Sequence, residues 1–187
     1  EGWDNLFARC EWGKFPELEV VRFVMRQFSE VQRPTCRLLE IGCGPGANVI
    51  FMASEGFDTY GIDGSEIAIR QAVDRLAEKS LTANLKVGDV TSLPYDNEMF
   101  DAVIDCECLY ANDLTSTRLS LDEIERVLKP NGKLLSITFS TGTYGDGLGE
   151  RLEGEPNTFT RINEGAFHSD YGVTRFTDFE EIEGIYG

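Results

Sequence analysis

The chain has 187 residues, of which 41% are hydrophobic and 27% are charged, a composition typical of one globular domain with a sizeable core. Seventeen Lys and Arg residues against 33 Asp and Glu residues give a net charge of −16. This charge disfavours nucleic acids and anionic membrane surfaces as partners, and we attribute it to solubility. No apolar run approaches the roughly 18 residues of a membrane span.

The cysteines indicate a reducing compartment. They stand at positions 10, 36, 43, 106 and 108, with irregular spacing and no CxxC pair. Cys36, Cys43 and Cys106 lie in apolar segments, where cysteine behaves as a small buried hydrophobe. We therefore expect a cytoplasmic protein without a disulfide framework.

The first third of the chain predicts a helix, a strand and a second helix. Residues 16–29 carry apolar side chains at helical spacing after Pro16, which suits a first turn. The apolar run 36–42 predicts a buried strand that ends in a glycine-rich turn. Residues 47–56 then predict a helix that stops at its final glycine.

The middle of the chain repeats this alternation. Strands are predicted over residues 57–63, 85–89, 100–107 and 133–140. A helix over 65–80 separates the first two, with Ser65 as its N-cap. A second helix carries a stripe of Leu121, Ile124, Val127 and Leu128 and stops before the KPNG turn. The pattern predicts an α/β fold, a doubly wound and mostly parallel sheet with helices on both faces.

The last part of the chain differs. Residues 141–175 are rich in Gly, Thr and polar side chains, and we interpret them as a substrate-side loop or lid, or else as disordered. Residues 176–187 then start another helix. We treat the chain as one domain, in which 1–35 form an N-terminal cap with the first helix and 36–140 form the cofactor-binding core.

The stretch LLEIGCGPGANV, residues 38–49, places a glycine-rich turn directly after the first strand. Gly42, Gly44 and Gly46 alternate, so the spacing is one residue short of the G-x-G-x-x-G pattern that seats a pyrophosphate on a helix N-terminus. The carboxylate of Glu40 before the turn would repel a phosphate but attract an ammonium or a sulfonium. S-adenosylmethionine carries both of these groups and no phosphate.

The segment LLEIGCGPG resembles the first motif of the class I S-adenosylmethionine-dependent methyltransferases. Three later stretches, TYGIDGS, VGDVTSLPYDNEMFDAVID and VLKPNGKLLSIT, are similar to further motifs of that family in the same order. The resemblance covers residues 16–140. It implies a Rossmann-like methyltransferase fold, S-adenosylmethionine as the cofactor and methyl transfer as the activity.

The resemblance also implies roles for individual residues. Asp63 would bond the ribose hydroxyls, for which a carboxylate is a good acceptor. Asp89 would accept from the adenine amino group, the Val90 N–H would meet the ring, and Glu40 would approach the methionine end. The predicted cofactor-binding residues are Glu40, Gly42, Cys43, Gly44, Gly46, Asp63, Gly64, Ser65, Asp89, Val90, Asp105 and Cys106. Each of these residues also has a purely structural interpretation. The three glycines would only form a tight turn, Asp63 and Asp89 would only cap a helix or turn, and Asp105 and Cys106 would only pack at the end of a strand.

No catalytic residue is assigned, and three candidates remain. Glu107 and Tyr110 follow the fourth strand, where some members of the family place substrate-facing residues and where a helical turn with a solvated Glu is an equal alternative. His168, the only histidine, lies in the long loop as a candidate base or a solvated side chain. Core packing is the interpretation for Trp3 and Trp12. Because the fifth strand ends without an Asp–Asn pair, we predict no catalytic metal.

The function expected from these features is methyl transfer from S-adenosylmethionine to a small-molecule acceptor. A non-catalytic module that binds S-adenosylmethionine stays open, whereas the glycine spacing and the motif around Asp89 oppose a NAD(P)-dependent oxidoreductase. We expect no nucleic-acid or membrane partner, and a homodimer stays open. The family normally adds two more strands and the sequence begins at Glu1, so we expect the native protein to be longer.

Overall fold

A five-stranded parallel sheet forms the centre of the computed structural model, which describes residues 2–9, 13–164, 167 and 172–186. Its strands are β1 (Arg37–Ile41), β2 (Asp58–Asp63), β3 (Asn84–Val87), β4 (Phe100–Cys106) and β5 (Leu128–Ile137). They lie in the order β3-β2-β1-β4-β5, so the order reverses between β1 and β4. In open α/β sheets ligands bind at such a reversal, beyond the carboxyl ends of the strands.

Helices cover both faces of this sheet. They are α1 (Gly2–Arg9), α2 (Leu18–Gln27), α3 (Ala47–Ser54), α4 (Glu66–Glu78), α5 (Leu114–Val127) and α6 (Ile182–Tyr186). Because successive strand residues point to opposite faces, Leu38 lies in one core with Val24 of α2 and Met52 of α3. Its neighbour Leu39 lies in the opposite core with Ile124 of α5. The predicted doubly wound parallel fold is confirmed.

Two helix starts refine the sequence prediction. The Ser65 Oγ accepts from the Ala68 N–H at 3.2 Å and caps α4, as expected. The Asp113 carboxylate accepts from the Ser116 N–H at 2.7 Å, so α5 begins at Leu114, well before the apolar stripe on which its prediction rested.

None of the described helices is long and apolar enough to cross a bilayer.

The N-terminal helix α1 has no counterpart in the sequence prediction, which placed the first helix over residues 16–29. It lies against α4, where Gln71 Nε2 donates to the Phe7 carbonyl oxygen at 2.9 Å. Phe7 is buried, and Trp3 stacks on it with ring centroids 5.9 Å apart. Trp3 is partly buried against an aromatic cluster and also lines the cavity described below, so its packing fits the core prediction only in part; Trp12 lies outside the described residues.

The segment predicted as an irregular loop contains strands. β6 (Glu150–Arg151), β7 (Thr158–Thr160) and β8 (Val173–Arg175) form an antiparallel sheet. Strands of two or three residues are too short to give a periodic pattern, which explains why the sequence did not predict them. The buried rings of Phe159, Phe167 and Phe176 pack beneath this sheet with Tyr110, which follows β4.

Candidate cofactor site

A cavity of about 700 Å³ lies where the strand order reverses, at the carboxyl ends of β1, β2, β3 and β4. Its volume is in the range of roughly 300–1,000 Å³ that small-molecule sites occupy. Ten of the twelve predicted cofactor-binding residues line it, namely Glu40, Gly42, Cys43, Gly44, Asp63, Gly64, Ser65, Asp89, Val90 and Cys106. Gly46 and Asp105 are not among the lining residues, and their contacts are structural.

Two glycines of the turn occupy positions where a side chain would collide with neighbouring residues. Gly42 has φ +60°, and a Cβ there would lie 2.5 Å from the Sγ of Cys108. Gly46 has φ +82°, and its Cβ would lie 2.9 Å from the Cβ of Ala72 in α4. Gly46 therefore lets α3 start close to α4, and Gly42 lets the turn approach the loop after β4.

Asp63 ends β2 and connects the turn to α4. Its Oδ2 accepts from the Gly44 N–H at 2.8 Å and its Oδ1 accepts from the Ser65 N–H at 2.8 Å. Burial raises the pKa of this carboxyl, and the two backbone bonds oppose that rise. The Ser65 hydroxyl in turn donates to Asp4 of α1. The carboxylate is therefore fixed in orientation, with lone pairs remaining for a pair of hydroxyls.

Asp89 lies at the other end of the cavity and is exposed. Its Oδ1 accepts from both the N–H and the hydroxyl of Thr91, each at 2.8 Å. Its second oxygen has no hydrogen-bond partner within the part of the chain that the structure describes. Val87 and Val90 line the cavity beside it and offer apolar surface for a ring. The group is an acceptor held in place and open to a ligand.

Glu40 is the most unusual residue of the site. It is only 3% exposed, and its Oε1 accepts from Asn48 Nδ2 at 2.7 Å. Its Oε2 is buried without a hydrogen-bond partner among the described residues. Burial raises the pKa of this carboxyl to about 8, against the opposing effects of the Asn48 bond and of the nearby Val49 N–H. Buried polar atoms are normally satisfied, so the free oxygen indicates a donor or cation supplied by a ligand.

The loop after β4 is shaped by Asp105. This fully buried carboxylate accepts from the Cys108 N–H at 2.9 Å, the Leu109 N–H at 3.1 Å and the Ser136 hydroxyl. Glu107, between them, has φ +59°, a conformation that costs a non-glycine residue of order 1 kcal/mol or more. Asp105 thus holds a turn that presents Glu107 at the rim of the cavity.

The cavity cysteines are neutral thiols at physiological pH. Burial, reinforced by Glu40 and Glu107, raises the pKa of Cys106 to about 12. Burial is also the main cause that raises the pKa values of Cys43 and Cys108 well above 9.0. Since the thiolate is the nucleophilic form, these side chains act as apolar lining rather than as reactive groups. The described cysteines form no disulfide, and Cys10 lies outside the described residues.

The cavity is strongly acidic. Six carboxyl residues line it, Asp4, Glu17, Glu40, Asp63, Asp89 and Glu107. No Lys, Arg or His is among the lining residues in the described part of the chain. A pyrophosphate would find no positive side chain among these lining residues, whereas a sulfonium or ammonium would be attracted.

The three candidates for a catalytic role have different outcomes. Glu107 and Tyr110 both line the cavity. Tyr110 is buried and packs edge-on against Phe139, with ring centroids 4.9 Å apart. His168 lies outside the described residues. No group of three or more His, Cys, Asp or Glu side chains within the described ranges could hold a metal ion, and the absence of a catalytic metal stays a prediction.

Several residues of the site were not predicted from the sequence, among them Asn48, Cys108, Phe15 and Glu17. Asn48 bonds Glu40, Cys108 lies against Gly42, and Phe15 and Glu17 line the rim of the cavity. Asn48 could have been found, because it lies in the first turn of the helix that follows the glycines and is the polar exception in an apolar helix. Phe15 and Glu17 carry no comparable signal.

Residues 38–132, about half of the chain, match the family of methyltransferase domains. The chain belongs to this family. Its fold and glycine turn make it a class I S-adenosylmethionine-dependent methyltransferase domain, for which S-adenosylmethionine is the expected cofactor. The residues present fit this cofactor: Glu40 offers a free buried oxygen to a cationic group, and Asp63 and Asp89 offer acceptors to hydroxyls and an amino group.

The methyltransferase domain has named relatives. It is 32% identical over 104 residues to the uncharacterized methyltransferase YodH of Bacillus subtilis, covering 56% of this chain and 43% of YodH. It is 33% identical over 105 residues to a demethylmenaquinone methyltransferase of Clavibacter sepedonicus, covering 56% and 42%. The matches thus span less than half of each relative. The fold is shared with a solved S-adenosylmethionine-dependent methyltransferase of Methanosarcina mazei at 23% identity and TM-score 0.72, covering 86% of this chain and 81% of that one.

Proposed function

We propose that this protein transfers a methyl group from S-adenosylmethionine to a small-molecule acceptor. The observation that carries the proposal is the buried Oε2 of Glu40, unpartnered within the described residues, in a cavity lined by six carboxyl residues. A ligand with a positive end and no phosphate satisfies that oxygen. The family match and the fold agree with this choice of ligand.

Each residue then has a defined task. Asp63, fixed by two backbone N–H groups, accepts from the ribose hydroxyls, and Asp89 accepts from the adenine amino group. Glu40 faces the positive methionine end. The cofactor, when bound, supplies an electrophilic methyl group, so the protein's contribution is binding and alignment. The neutral thiols of Cys43, Cys106 and Cys108 fit a reaction that needs no protein nucleophile.

A small acceptor is supported by the size and charge of the site. The cavity of about 700 Å³ has the volume of a small-molecule pocket. The net charge of −16 disfavours a nucleic acid. One relative is named for a small molecule, demethylmenaquinone. A base for an acceptor that loses a proton would come from Glu107, Tyr110 or His168, and of these Glu107 has a pKa raised by partial burial.

The proposal is tested first by binding. Calorimetric titration should show saturable binding of S-adenosylmethionine and S-adenosylhomocysteine and none of NADH. Asp63→Ala should weaken both cofactor forms by tenfold or more (about 1.4 kcal/mol), whereas Glu78→Gln, an exposed substitution on α4, should leave them unchanged. Failure of the folded chain to bind either cofactor form, or binding of NADH in their place, contradicts the proposal.

Transfer itself is tested with trideuteromethyl S-adenosylmethionine. The protein is incubated with a small-molecule extract, and products are followed by mass spectrometry. Products heavier by one trideuteromethyl group should form with the protein, and at sub-saturating cofactor they should form about tenfold more slowly with its Asp63→Ala variant. Tight cofactor binding without any labelled product supports the non-catalytic binding module instead.

A further inference from the structure

Two glutamates at the rim of the cavity have carboxylates that contact no donor or cation among the described residues. Glu17 precedes α2 and Glu107 follows β4, and both line the cavity. Neither carboxylate makes a hydrogen bond or ion pair within the described ranges, although other acidic side chains at the surface do, such as Glu55 with Arg33. Both glutamates line the same cavity, and Glu17 raises the pKa of Glu107, second only to the effect of burial, as expected for neighbouring carboxylates. Such a pair gains from a cation between or above it.

An exposed aromatic ring lies on the same rim. Phe15 is 83% exposed, although it lines the cavity with Glu17. A phenyl ring left in water beside carboxylates is the arrangement that recognises alkylated ammonium groups, because the ring face attracts the cation and the carboxylates supply charge. An anionic or purely apolar ligand would use only one of these two features.

The charge of the cofactor does not account for this pair. S-adenosylmethionine carries a net charge of one positive unit, and Glu40 is the deeply buried carboxyl residue with an oxygen left free for it. The rim adjoins Glu40, because Asn48 donates to the Glu40 carboxyl through Nδ2 at 2.7 Å and accepts from the Glu17 N–H through Oδ1 at 2.8 Å. The rim is therefore next to the carboxyl that faces the positive end of the cofactor in the function proposed above.

We propose, on the basis of the function proposed above, that Glu17, Glu107 and Phe15 form a subsite for the acceptor, and that the acceptor carries a positively charged nitrogen. The turn that presents Glu107 supports this role. Its left-handed backbone is held by the buried Asp105, so the fold keeps a costly conformation that directs a carboxylate to the rim. The subsite binds and orients the acceptor, and the cofactor lies below it.

The test uses choline and 3,3-dimethylbutanol, which have the same shape but differ in charge. Both are titrated into the full chain by NMR, with and without saturating S-adenosylhomocysteine. Choline should bind about tenfold more tightly than the alcohol. The double variant Glu17→Gln/Glu107→Gln should reduce this preference to less than about threefold, and Phe15→Leu should reduce it partly. Glu30→Gln/Glu78→Gln removes the same charge from exposed helix and loop positions and should keep the preference.

The outcomes separate this inference from the proposed function. Equal binding of choline and the alcohol, or a preference that survives in the Glu17/Glu107 double variant, overturns the subsite while cofactor binding is unaffected. A tenfold loss of S-adenosylhomocysteine affinity in that variant also overturns it, because the two carboxylates would then serve the methionine end of the cofactor. If the wild-type chain binds choline but no cofactor, the proposed function fails and the cation subsite stands.

Discussion

Replacing Glu40 by Gln should remove a large part of the pH dependence of folding stability. Glu40 is 3% exposed and its pKa is raised from 4.5 to about 8, mainly by burial. Between these two pH values the folded protein keeps a proton that the unfolded chain has lost. The stabilising contribution is therefore complete below pH 4.5 and is lost as the pH rises through about 8.

The size of the effect follows from these two pKa values. Integrated from pH 6 to pH 9, the proton on Glu40 contributes about 2–3 kcal/mol that the ligand-free protein loses on the alkaline side. Gln can still accept from Asn48 Nδ2 and places an amide nitrogen where the free Oε2 lies. The cost of that unpartnered amide is the same at both pH values, so it cancels from the comparison.

The assay is urea unfolding followed by circular dichroism at pH 6 and pH 9, without cofactor. Wild type should lose about 2–3 kcal/mol more than Glu40→Gln over this interval. The neighbouring thiols have pKa values raised mainly by burial, so they stay protonated in both folded proteins between pH 6 and pH 9 and their contribution cancels. Glu78→Gln, an exposed control, should follow wild type. A wild-type loss equal to that of Glu40→Gln would refute the assignment of a buried, protonated Glu40.

Three further predictions concern the same region. Binding of S-adenosylmethionine at pH 7.5 should release protons, because its positive end lowers the pKa of Glu40. Calorimetry in two buffers of different ionisation enthalpy measures the number of protons released, and S-adenosylhomocysteine, whose sulfur is uncharged, should cause a smaller release. Asn48→Leu removes the donor to Glu40 and the acceptor of the Glu17 N–H, and urea unfolding should show a loss of about 2–4 kcal/mol. Gly42→Ala places a Cβ at a positive φ and 2.5 Å from the Cys108 side chain, so it should lower the free energy of unfolding by about 1–3 kcal/mol and weaken cofactor binding. Adding Cys108→Gly to this variant should restore part of the stability and part of the binding.

The parts of the fold that the sequence predicted are those with a local cause. Buried parallel strands are continuous apolar runs, and the helices between them carry stripes at helical spacing, so β1 and α4 could be predicted from their own residues. The glycine turn could be predicted because Gly42 and Gly46 meet steric demands that other residues do not. The spacing of this turn and the carboxylate of Glu40 favoured a positively charged ligand, and the resemblance of four ordered motifs to a methyltransferase family indicated the cofactor.

The features that could not be predicted from the sequence depend on contacts between segments that are far apart in the chain. Glu17 and Glu107 are ninety positions apart, and only the packing of α2 beside β4 brings them to one rim. The strands β6–β8 have two or three residues each, so their pairing carries no periodic signal. The helix α1 has only eight residues, and its apolar side chains find their partners across the chain, where α1 lies against α4. A site built across such distances forms only when the chain is folded.

Asn48 connects Glu40, which faces the cofactor in the proposed function, with Glu17 at the rim of the cavity. Its Nδ2 donates to Glu40 at 2.7 Å, and its Oδ1 accepts from the Glu17 backbone N–H at 2.8 Å. A positive ligand end that lowers the pKa of Glu40 strengthens the first bond, because a charged acceptor binds a donor more strongly than a neutral one. The same side chain holds the segment that presents Glu17 at the acceptor rim. The protonation of one buried carboxyl is thus connected, through a single amide, to the position of a residue in the proposed acceptor subsite.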